Sequence, residues 1–362
     1  MTDTPFLTVD VARCEANIAD LAARAASAGV AVRPHAKTHK CAEIARLQMD
    51  HGAVGLTVAT IGEAEAFADA AARTTCSDLF IAYPLWVTES KAARLAALAQ
   101  RVSVRVGVDS IAAARQLVAM LNGADGIDVV IEVDSRHHRT GCAPEDAGIV
   151  AAAAADAGLD VAGVFTFPGH GYGVGEARLR AAEQEAQALD IASERLRANG
   201  IDPRVRSGGS TPTVGHLTAG VLTEIRPGVY PFNDAQQVAI GSCGVDAVAL
   251  WADSTVVHRS GTKIALDAGS KILGADRPPW LDGYGLLPDH PGAQIISLSE
   301  HHAVVEFPAE TPDGQTPPEP GTRVRVVPNH VCTAVNLVDE LIARLPDGTE
   351  EHWAVMARGR NS

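Results

Sequence analysis

The chain has 362 residues, of which 46% are hydrophobic, 20% are charged and 4% are aromatic, and its formal net charge at pH 7 is -14. This negative charge argues against nucleic acids and anionic membranes as partners, although a local basic pocket could still hold a small anion. The sequence has no apolar run of the roughly 18 residues that a membrane span needs, and its length predicts two domains.

The N-terminus and the cysteines predict a cytoplasmic protein. Residues 1–5, Met-Thr-Asp-Thr-Pro, lack the basic start and the apolar core of a signal peptide. The six cysteines are scattered and form no Cys-x-x-Cys pair, which is typical of reduced thiols.

Short apolar segments alternate with helical segments through the first two thirds of the chain. Residues 7–10 predict a strand, and residues 11–27 predict a helix that stops at Gly29. The strands predicted next are 30–33, 55–59, 78–83, 102–108, 127–133, 161–167, 204–207 and 223–226. The helices predicted between most of them are 41–51, 62–72, 89–101, 110–122, 144–157 and 176–199. The charged helix 176–199 is expected to present a solvated face.

Eight strands that alternate with helices predict a (β/α)8 TIM barrel, with a doubly wound open sheet as the alternative. The strands are mostly continuously apolar, as in a parallel sheet that is covered on both faces. We favour the barrel because polar, chemically capable residues follow many of the predicted strands. An open sheet would concentrate such residues near one switch point.

Past residue 236, strand-like segments separated by Gly, Pro and Asp predict a second, mainly β domain. Its predicted strands are 247–257, 263–267, 293–299, 303–307, 322–327, 334–337 and 353–357. A proline-rich loop is predicted at 311–321. The predicted domains are therefore a barrel at 11–235 and a β domain at 236–362.

Lys37 follows the first predicted barrel strand, within the segment 33–40, Arg-Pro-His-Ala-Lys-Thr-His-Lys. Neighbouring positive charge and partial burial disfavour the ammonium form of a lysine, which makes the nucleophilic amine accessible near neutral pH. The alternative is a basic loop on the surface. Lys37 is therefore a candidate for imine chemistry.

The loops after the seventh and eighth predicted strands are candidates for anion binding. Residues 207–211, Ser-Gly-Gly-Ser-Thr, combine glycines with hydroxyls, so that backbone N–H groups and side chains can converge on a phosphate. A simple glycine-rich turn is the alternative. A phosphate site and a lysine on the same rim suggest pyridoxal 5'-phosphate.

Six ordered motifs resemble the fold-type III pyridoxal-phosphate enzymes, and within them the D-serine dehydratase and D-threonine aldolase family. They are the segment 33–40, Gly-Gly-Ser-Thr-Pro at 208–212, Arg-Pro-Gly-Val-Tyr at 226–230, Asp-Ala-Gly-Ser-Lys at 267–271, Pro-Asn-His-Val-Cys at 328–332 and Ala-Arg-Gly-Arg at 357–360. The resemblance implies an alanine-racemase-like barrel and a β domain that is joined by the N-terminal strand in residues 1–10.

The resemblance also implies roles for individual residues. Lys37 matches the cofactor lysine, Arg139 the arginine that faces the phenolic oxygen, and Tyr172 a tyrosine near the substrate. The remaining cofactor-binding positions are Gly209, Ser210, Thr211, Gly228, Val229 and Tyr230. Arg226, Glu224 and Tyr230 remain alternatives for the group that faces the pyridine nitrogen.

His330 and Cys332 are two residues apart, so on a strand their side chains would share one face. An imidazole and a thiolate form half of a zinc site, although this spacing alone also suits a packed cysteine and a surface histidine. The resemblance implies a divalent metal at this pair, zinc first, with manganese or magnesium as alternatives. Glu300-His301-His302 could support such a site or form a hairpin edge.

The resemblance implies a lyase that acts on small β-hydroxy D-amino acids. Elimination of the D-serine dehydratase type, giving a 2-oxo acid and ammonia, is the first expectation. The alternatives are a D-threonine aldolase, which gives glycine and an aldehyde, an amino-acid racemase, and a non-catalytic cofactor carrier. The family also implies a homodimer with shared active sites.

Overall fold

The structure is a computed structural model that describes residues 3–123, 126–218, 220–309 and 316–362. The chain divides into two compact units. The barrel unit comprises Ala19–Lys37, Ala42–Gly228 and Gly359–Ser362. The β unit comprises Met1–Ile18, Thr38–Cys41 and Val229–Arg358. Within the described ranges, no helix has the length and apolarity needed to cross a membrane.

The chain begins with strand β1, Phe6–Asp10, and helix α1, Val11–Ser27. Eight parallel strands then form the sheet of the barrel unit. They are β2 Ala31–Val32, β3 Leu56–Val58, β4 Asp78–Pro84, β5 Ser103–Val108, β6 Ile127–Glu132, β7 Asp160–Phe165, β8 Val205–Gly208 and β9 Glu224–Ile225. Their order in the sheet is β2-β9-β8-β7-β6-β5-β4-β3.

The two ends of this sheet meet, which closes the barrel. His35 and Thr57, which lie just beyond β2 and within β3, form a parallel bridge. The N–H of Thr57 donates to the carbonyl of Pro34, and the N–H of Ala36 donates to the carbonyl of Thr57, both at 2.8 Å. All eight predicted barrel strands are present, and the (β/α)8 fold class is confirmed.

Seven helices follow the barrel strands within the described residues of this unit. They are α2 Ala42–Asp50, α3 Ile61–Asp69, α4 Ala71–Thr74, α5 Glu89–Ala99, α6 Ile111–Leu121, α7 Ala147–Asp156 and α8 Ala177–Ala198. Thr60, Thr88 and Ser110 begin three of them, because each hydroxyl accepts a bond from a backbone N–H in the first turn. The helix predicted at 62–72 is broken into α3 and α4 at Ala70.

The β unit is built around a nine-stranded sheet. Its later elements are α9 Ala235–Ala239, β10 Leu250–Ser260, β11 Lys263–Leu266, α10 Ser270–Leu273, β12 Gly285–Leu286, β13 Gln294–Leu298, β14 Ala303–Glu306, β15 Arg323–Pro328, α11 Val331–Asn336, β16 Glu340–Arg344 and β17 Glu350–Ala354. The main order is β13-β14-β11-β10-β1-β16-β17, and β15 pairs with β10 and β12. The N-terminal strand β1 thus lies in this sheet, antiparallel to β10 and parallel to β16.

The strand predicted at 334–337 is wrong, because these residues belong to or follow helix α11. Its β-branched residues favour a strand by propensity, but one helical face that includes Val331 and Ala334 is buried, and packing overrides propensity here. Strand β16 was not predicted, and the last strand lies a few residues earlier than 353–357. The first five residues of the predicted proline-rich loop, 311–315, lie outside the described residues.

Candidate active site

A cavity of about 470 Å³ opens at the carboxyl ends of the barrel strands. Its walls are His35, Lys37, Ala59, Thr60, Ala82, Tyr83, Arg139, Thr140, Phe167 and Arg226. The volume lies in the range of small-molecule sites, which is roughly 300–1,000 Å³. In (β/α)8 barrels the loops at this end of the strands carry the chemistry.

The aromatic ring of Phe167 brings the two predicted cationic residues together. The Nζ of Lys37 lies 5.8 Å from the ring centroid, and the guanidinium carbon of Arg139 lies 5.1 Å from it. The ring of Tyr172 lies 6.4 Å from the same ring. Phe167 was not singled out from the sequence, although an aromatic residue directly after a barrel strand is placed to reach the barrel mouth.

The loop after β6 holds Arg139 through local contacts. Asp134 accepts the backbone N–H of His138 at 2.9 Å, and its other oxygen lies 2.7 Å from His138 Nδ1. Gly141 has φ +100°, and a Cβ at this position would lie 2.6 Å from the carbonyl carbon of Val133. The glycine of the Arg-Thr-Gly motif is therefore needed for the chain to return closely past the end of β6.

The threonine of the same motif contacts a buried carboxyl group. Thr140 Oγ1 donates to Glu132 Oε1 at 2.8 Å. Burial raises the pKa of Glu132 to about 7, and the bond from Thr140 and the charges of Arg139 and Arg226 offset part of this rise. Glu132 Oε2 has no hydrogen-bond partner among the described residues. The carboxyl group of Glu132 is therefore about half protonated at neutral pH.

Arg226 is a buried cation at the cavity. Its guanidinium carbon lies 5.5 Å from the ring of Phe80 and 5.1 Å from that of Phe165, and Nη2 donates to the carbonyl of Thr166. Burial lowers the pKa of Arg226 to about 10, so the group remains charged at neutral pH. Its Nε is buried without a partner among the described residues, which leaves a donor for a bound group.

Glu224 is engaged elsewhere. Arg33 Nε donates to Glu224 Oε2 at 2.9 Å, and Ser207 Oγ donates to its other oxygen at 2.8 Å. Of the three alternatives for the pyridine nitrogen, Arg226 lines the cavity, and Tyr230 belongs to the β unit. Of the three, Arg226 is therefore the residue placed to contact a pyridine nitrogen in this cavity.

The predicted phosphate loop follows β8 and is tied together internally. Gly209 has φ +76°, and its N–H donates to Glu185 Oε1 at 2.7 Å. The N–H of Ser210 donates to Thr213 Oγ1 at 2.9 Å. A Cβ on Gly208 would lie 2.4 Å from Glu185 Oε1, so only glycine fits above this carboxyl group.

The remaining predicted phosphate positions fall on either side of the division between the units. Thr211 and Gly228 lie in the barrel unit, whereas Val229 and Tyr230 lie in the β unit. All four residues lie in loops of the described chain. Phosphate binding by them stays a prediction.

Helix α8 has the expected solvated face, but Glu185 does not lie on it. This residue is buried in the face of α8 that also contains Ala181, Ala182 and Leu189. Burial raises the pKa of Glu185 to about 7, and the Gly209 N–H and the charge of Arg226 offset part of the rise. The sequence did not reveal this buried face, because it is formed mostly by alanines, which give a weak hydrophobic pattern within a helix rich in charged residues.

His330 and Cys332 lie at the start of helix α11 in the β unit, so the shared face that a strand would give them does not apply. Burial lowers the pKa of His330, but the charge of Cys332 and the carboxylate of Asp234 raise it well above its usual value. A neutral imidazole and a thiolate are ligand types that fit a divalent cation such as zinc.

Two further residues contact this pair, and neither was predicted. Asp234 Oδ2 lies 3.4 Å from His330 Nδ1 and accepts the backbone N–H of Val331 at 3.1 Å. Thr38 Oγ1 lies 3.2 Å from Cys332 Sγ. Nothing in the local sequence around His330 points to residues so far away along the chain.

The described residues contain no cluster of three or more His, Cys, Asp or Glu side chains that could hold a metal. Metal binding by the His330–Cys332 pair alone therefore stays a prediction. Glu300 pairs with Lys271 at 2.7 Å in the exposed turn between β13 and β14, as expected for a hairpin edge.

Comparisons with known proteins identify both parts of the chain. The family model of the alanine racemase N-terminal domain matches residues 9–235, and a second model, named as a serine dehydratase domain, matches residues 247–343. D-threo-3-hydroxyaspartate dehydratase from Delftia sp. (strain HT23) is 33% identical over 374 residues, which cover 97% of this chain and 96% of the dehydratase.

Two further relatives have different reactions. D-threonine aldolase from Arthrobacter sp. is 33% identical over 369 residues, which cover 99% of this chain and 93% of the aldolase. D-serine dehydratase from Dictyostelium discoideum is 25% identical over 363 residues, which cover 91% of this chain and 90% of that protein.

Among solved structures, the Delftia dehydratase superimposes with a TM-score of 0.87 and 30% identity, over 98% of this chain and 97% of that chain. A variant of that dehydratase in which a cysteine is replaced by alanine has been solved in a metal-free form and has the same TM-score. The chain therefore belongs to the alanine-racemase-like, fold-type III family of pyridoxal-phosphate enzymes, in the group of the D-serine dehydratases and D-threonine aldolases.

Proposed function

We propose that this protein is a pyridoxal-phosphate- and metal-dependent lyase that converts β-hydroxy D-amino acids to a 2-oxo acid and ammonia. The observation that carries the proposal is the cavity in which Lys37 and Arg139 both lie near the ring of Phe167, and which the buried cation Arg226 also lines. The imidazole and thiol at the start of α11 support the metal dependence.

The residues of the cavity have separate tasks. Pyridoxal phosphate, when bound, supplies an electron sink that acidifies the Cα–H bond of an amino acid. Lys37 would hold the cofactor, and its amine is the base that accepts the Cα proton. Arg139 would donate hydrogen bonds to an anionic oxygen of the cofactor, and Arg226, whose Nε is buried without a partner among the described residues, would serve its ring nitrogen.

His330 and Cys332 would hold the divalent metal, which supplies a Lewis acid for the β-hydroxyl group. Two protein ligands leave coordination positions for water and for the substrate oxygen. An imidazole and a thiolate favour zinc over the harder manganese and magnesium ions.

The aldolase reaction is a second candidate, because the aldolase from Arthrobacter sp. is as similar to this chain as the Delftia dehydratase is. Cys332 favours the dehydratase, since replacing a cysteine of the Delftia dehydratase by alanine accompanies its metal-free form. A racemase or a cofactor carrier would not need the metal that we assign to His330 and Cys332. We also propose that the enzyme is cytoplasmic and acts as a homodimer with shared active sites.

The reaction class is tested with D-serine, D-threonine and D-threo-3-hydroxyaspartate on enzyme reconstituted with cofactor and zinc. We expect a 2-oxo acid and ammonia in equal amounts, loss of turnover with EDTA, and recovery on adding zinc. L-Serine and D-alanine serve as controls for stereochemistry and for racemisation. Glycine and an aldehyde as the main products would instead establish the aldolase, and turnover that resists EDTA would contradict the metal dependence.

A further inference from the structure

We propose that Thr38 is a positioning residue that holds the Cys332 thiolate in the orientation needed for metal binding. The proposal rests on the proposed metal dependence of the enzyme. It concerns a residue of the β unit that acts through the cysteine.

The contact between the two side chains is direct. Thr38 Oγ1 lies 3.2 Å from Cys332 Sγ, and Thr38 is fully buried. A hydroxyl that faces a thiolate donates its proton, and hydrogen bonds to a charged acceptor are stronger than those between neutral groups. The bond fixes the direction in which the remaining lone pairs of the sulfur point, and these are the electrons that a metal would use.

The segment that carries Thr38 is anchored to the same helix at a second point. Residues Thr38–Cys41 belong to the β unit, although the chain on both sides of them belongs to the barrel unit. Lys40 Nζ donates to Asn336 Oδ1 at 2.7 Å, near the end of α11, and Lys40 adopts φ +50°, which is rare for a residue with a side chain. Two contacts to one six-residue helix therefore define where the Thr38 hydroxyl lies.

With Thr38, each of the two proposed ligands has a polar neighbour. Asp234 Oδ2 lies 3.4 Å from His330 Nδ1, although this nitrogen has no hydrogen-bond partner among the described residues. The sulfur of Cys332, in contrast, has the Thr38 hydroxyl within hydrogen-bond distance. Groups that orient metal ligands change metal affinity by about 10–100-fold when they are removed.

The test compares Thr38→Val, which keeps the β-branched shape but loses the hydroxyl, with Thr38→Ser, which keeps the hydroxyl. Thr74→Val is the matched control, because Thr74 is also fully buried and its hydroxyl accepts the N–H of Cys76 at 3.3 Å, within the barrel unit. Zinc affinity is measured by competition with a chromophoric chelator on the cofactor-loaded enzyme. Cobalt is then substituted for zinc, and the thiolate-to-cobalt absorption band is recorded.

We expect Thr38→Val to weaken zinc binding by about 10-fold or more and to shift or weaken the cobalt–thiolate band. Thr38→Ser should restore both, and Thr74→Val should change neither. Wild-type zinc affinity and an unshifted band in a folded Thr38→Val variant would overturn the proposal while leaving the lyase function intact. If Thr38→Val does not fold, Thr38→Ala, which cannot overpack the site, is judged by the same two measurements.

The wild-type enzyme and Cys332→Ala separate this proposal from the proposed function. A cobalt–thiolate band that is present in the wild type and absent in Cys332→Ala shows that the cysteine binds the metal, as the test of Thr38 requires. Absence of this band from the wild type would overturn the role of Thr38, and with it the metal site. Lyase turnover that resists EDTA would then contradict the metal dependence alone, whereas absence of any lyase turnover would contradict the proposed function.

Discussion

At the scale of single residues, the cavity is assembled from side chains that follow different strands of the barrel. Lys37 follows β2, Arg139 follows β6 and Phe167 follows β7, so they meet only because parallel strands end at the same rim. Arg226 lines the same cavity and lies near the buried carboxyl groups of Glu224, Glu185 and Glu132. The pKa values of Glu132 and Glu185 are near 7, so part of the charge around Arg226 changes within the physiological pH range.

This burial predicts a specific pH dependence of stability. The pKa of Glu185 is about 7 in the folded protein, against an ordinary value of 4.5, because burial disfavours its charge. The folded state then binds more protons than the unfolded state between these two values. The free energy of unfolding should therefore fall as the pH rises from about 4.5 to 7, by at most about 3 kcal/mol for this group.

Glu185→Gln tests this expectation, because glutamine still accepts the Gly209 N–H but cannot ionise. In urea unfolding, the variant should match the wild type near pH 5 and should lose less stability than the wild type by pH 8. Glu194→Gln, on the same helix but exposed, is the control and should behave as the wild type does. An identical fall in stability with pH for Glu185→Gln and wild type would contradict the assignment.

At the scale of elements, the loop after β8 is shaped from below by helix α8. The Glu185 carboxyl group occupies the space that a side chain at position 208 would need, and it accepts the N–H of Gly209. The loop is thus held by a helix that lies between β7 and β8 in the chain. Helix α8 supports a loop, whereas helix α11 in the β unit itself carries a proposed metal ligand, Cys332, in its first turn. The end of α11 is held by the hydrogen bond from Lys40 to Asn336.

Gly208→Ala should disrupt this arrangement. Its Cβ would lie 2.4 Å from Glu185 Oε1 and 2.9 Å from a methyl group of Leu222, so the carboxyl group must leave Gly209. We expect a loss of about 1–3 kcal/mol in the free energy of unfolding, typical of an overpacked site. Cofactor binding, followed by absorbance, should weaken as well.

Gly215→Ala is the matched control for this variant. It lies in the same stretch between β8 and β9, and a Cβ there would meet no atom within 4 Å. It should bind cofactor and unfold like the wild type. Equal behaviour of Gly208→Ala and Gly215→Ala would show that Glu185 does not support the loop.

At the scale of the whole molecule, each unit is built from separated stretches of chain. Strand β1 lies between β10 and β16 in the β sheet, and residues Gly359–Ser362 belong to the barrel unit. The N–H of Gly62 donates to the Ser362 carbonyl at 3.0 Å, so this last segment covers the first turn of α3. Both ends of the described chain are therefore tied into folded units.

The proposed homodimer with shared sites is tested by mixing two inactive variants, Lys37→Ala and His330→Ala. If one active site takes Lys37 and His330 from different subunits, each mixed dimer regains one of its two sites. Random exchange makes half of the dimers mixed, so recovery should approach about a quarter of wild-type activity. Subunit exchange is verified with two affinity tags, and no recovery after exchange would place both residues of a site in one chain.

The sequence by itself determined the barrel, its eight strands and the position of Lys37 at a strand exit. These features depend on local patterns, since apolar periodicity and glycine or threonine signals mark where each element begins and ends. The Arg-Thr-Gly motif could also be read locally, because its glycine and threonine act on residues within ten positions of them.

Only the tertiary structure decided which polar groups are buried together. Glu185 sits in a helix rich in charged residues, and only the packing of that helix shows which of its carboxyl groups lies beneath the glycine loop. Thr38 and Cys332 are 294 residues apart, and Asp234 and Val331 are 97 apart, so no local pattern links them. Residues 331–336 form a helix against the preference of their β-branched side chains, because burial of Val331, Ala334 and Val335 outweighs a difference in propensity of about 1 kcal/mol or less per residue.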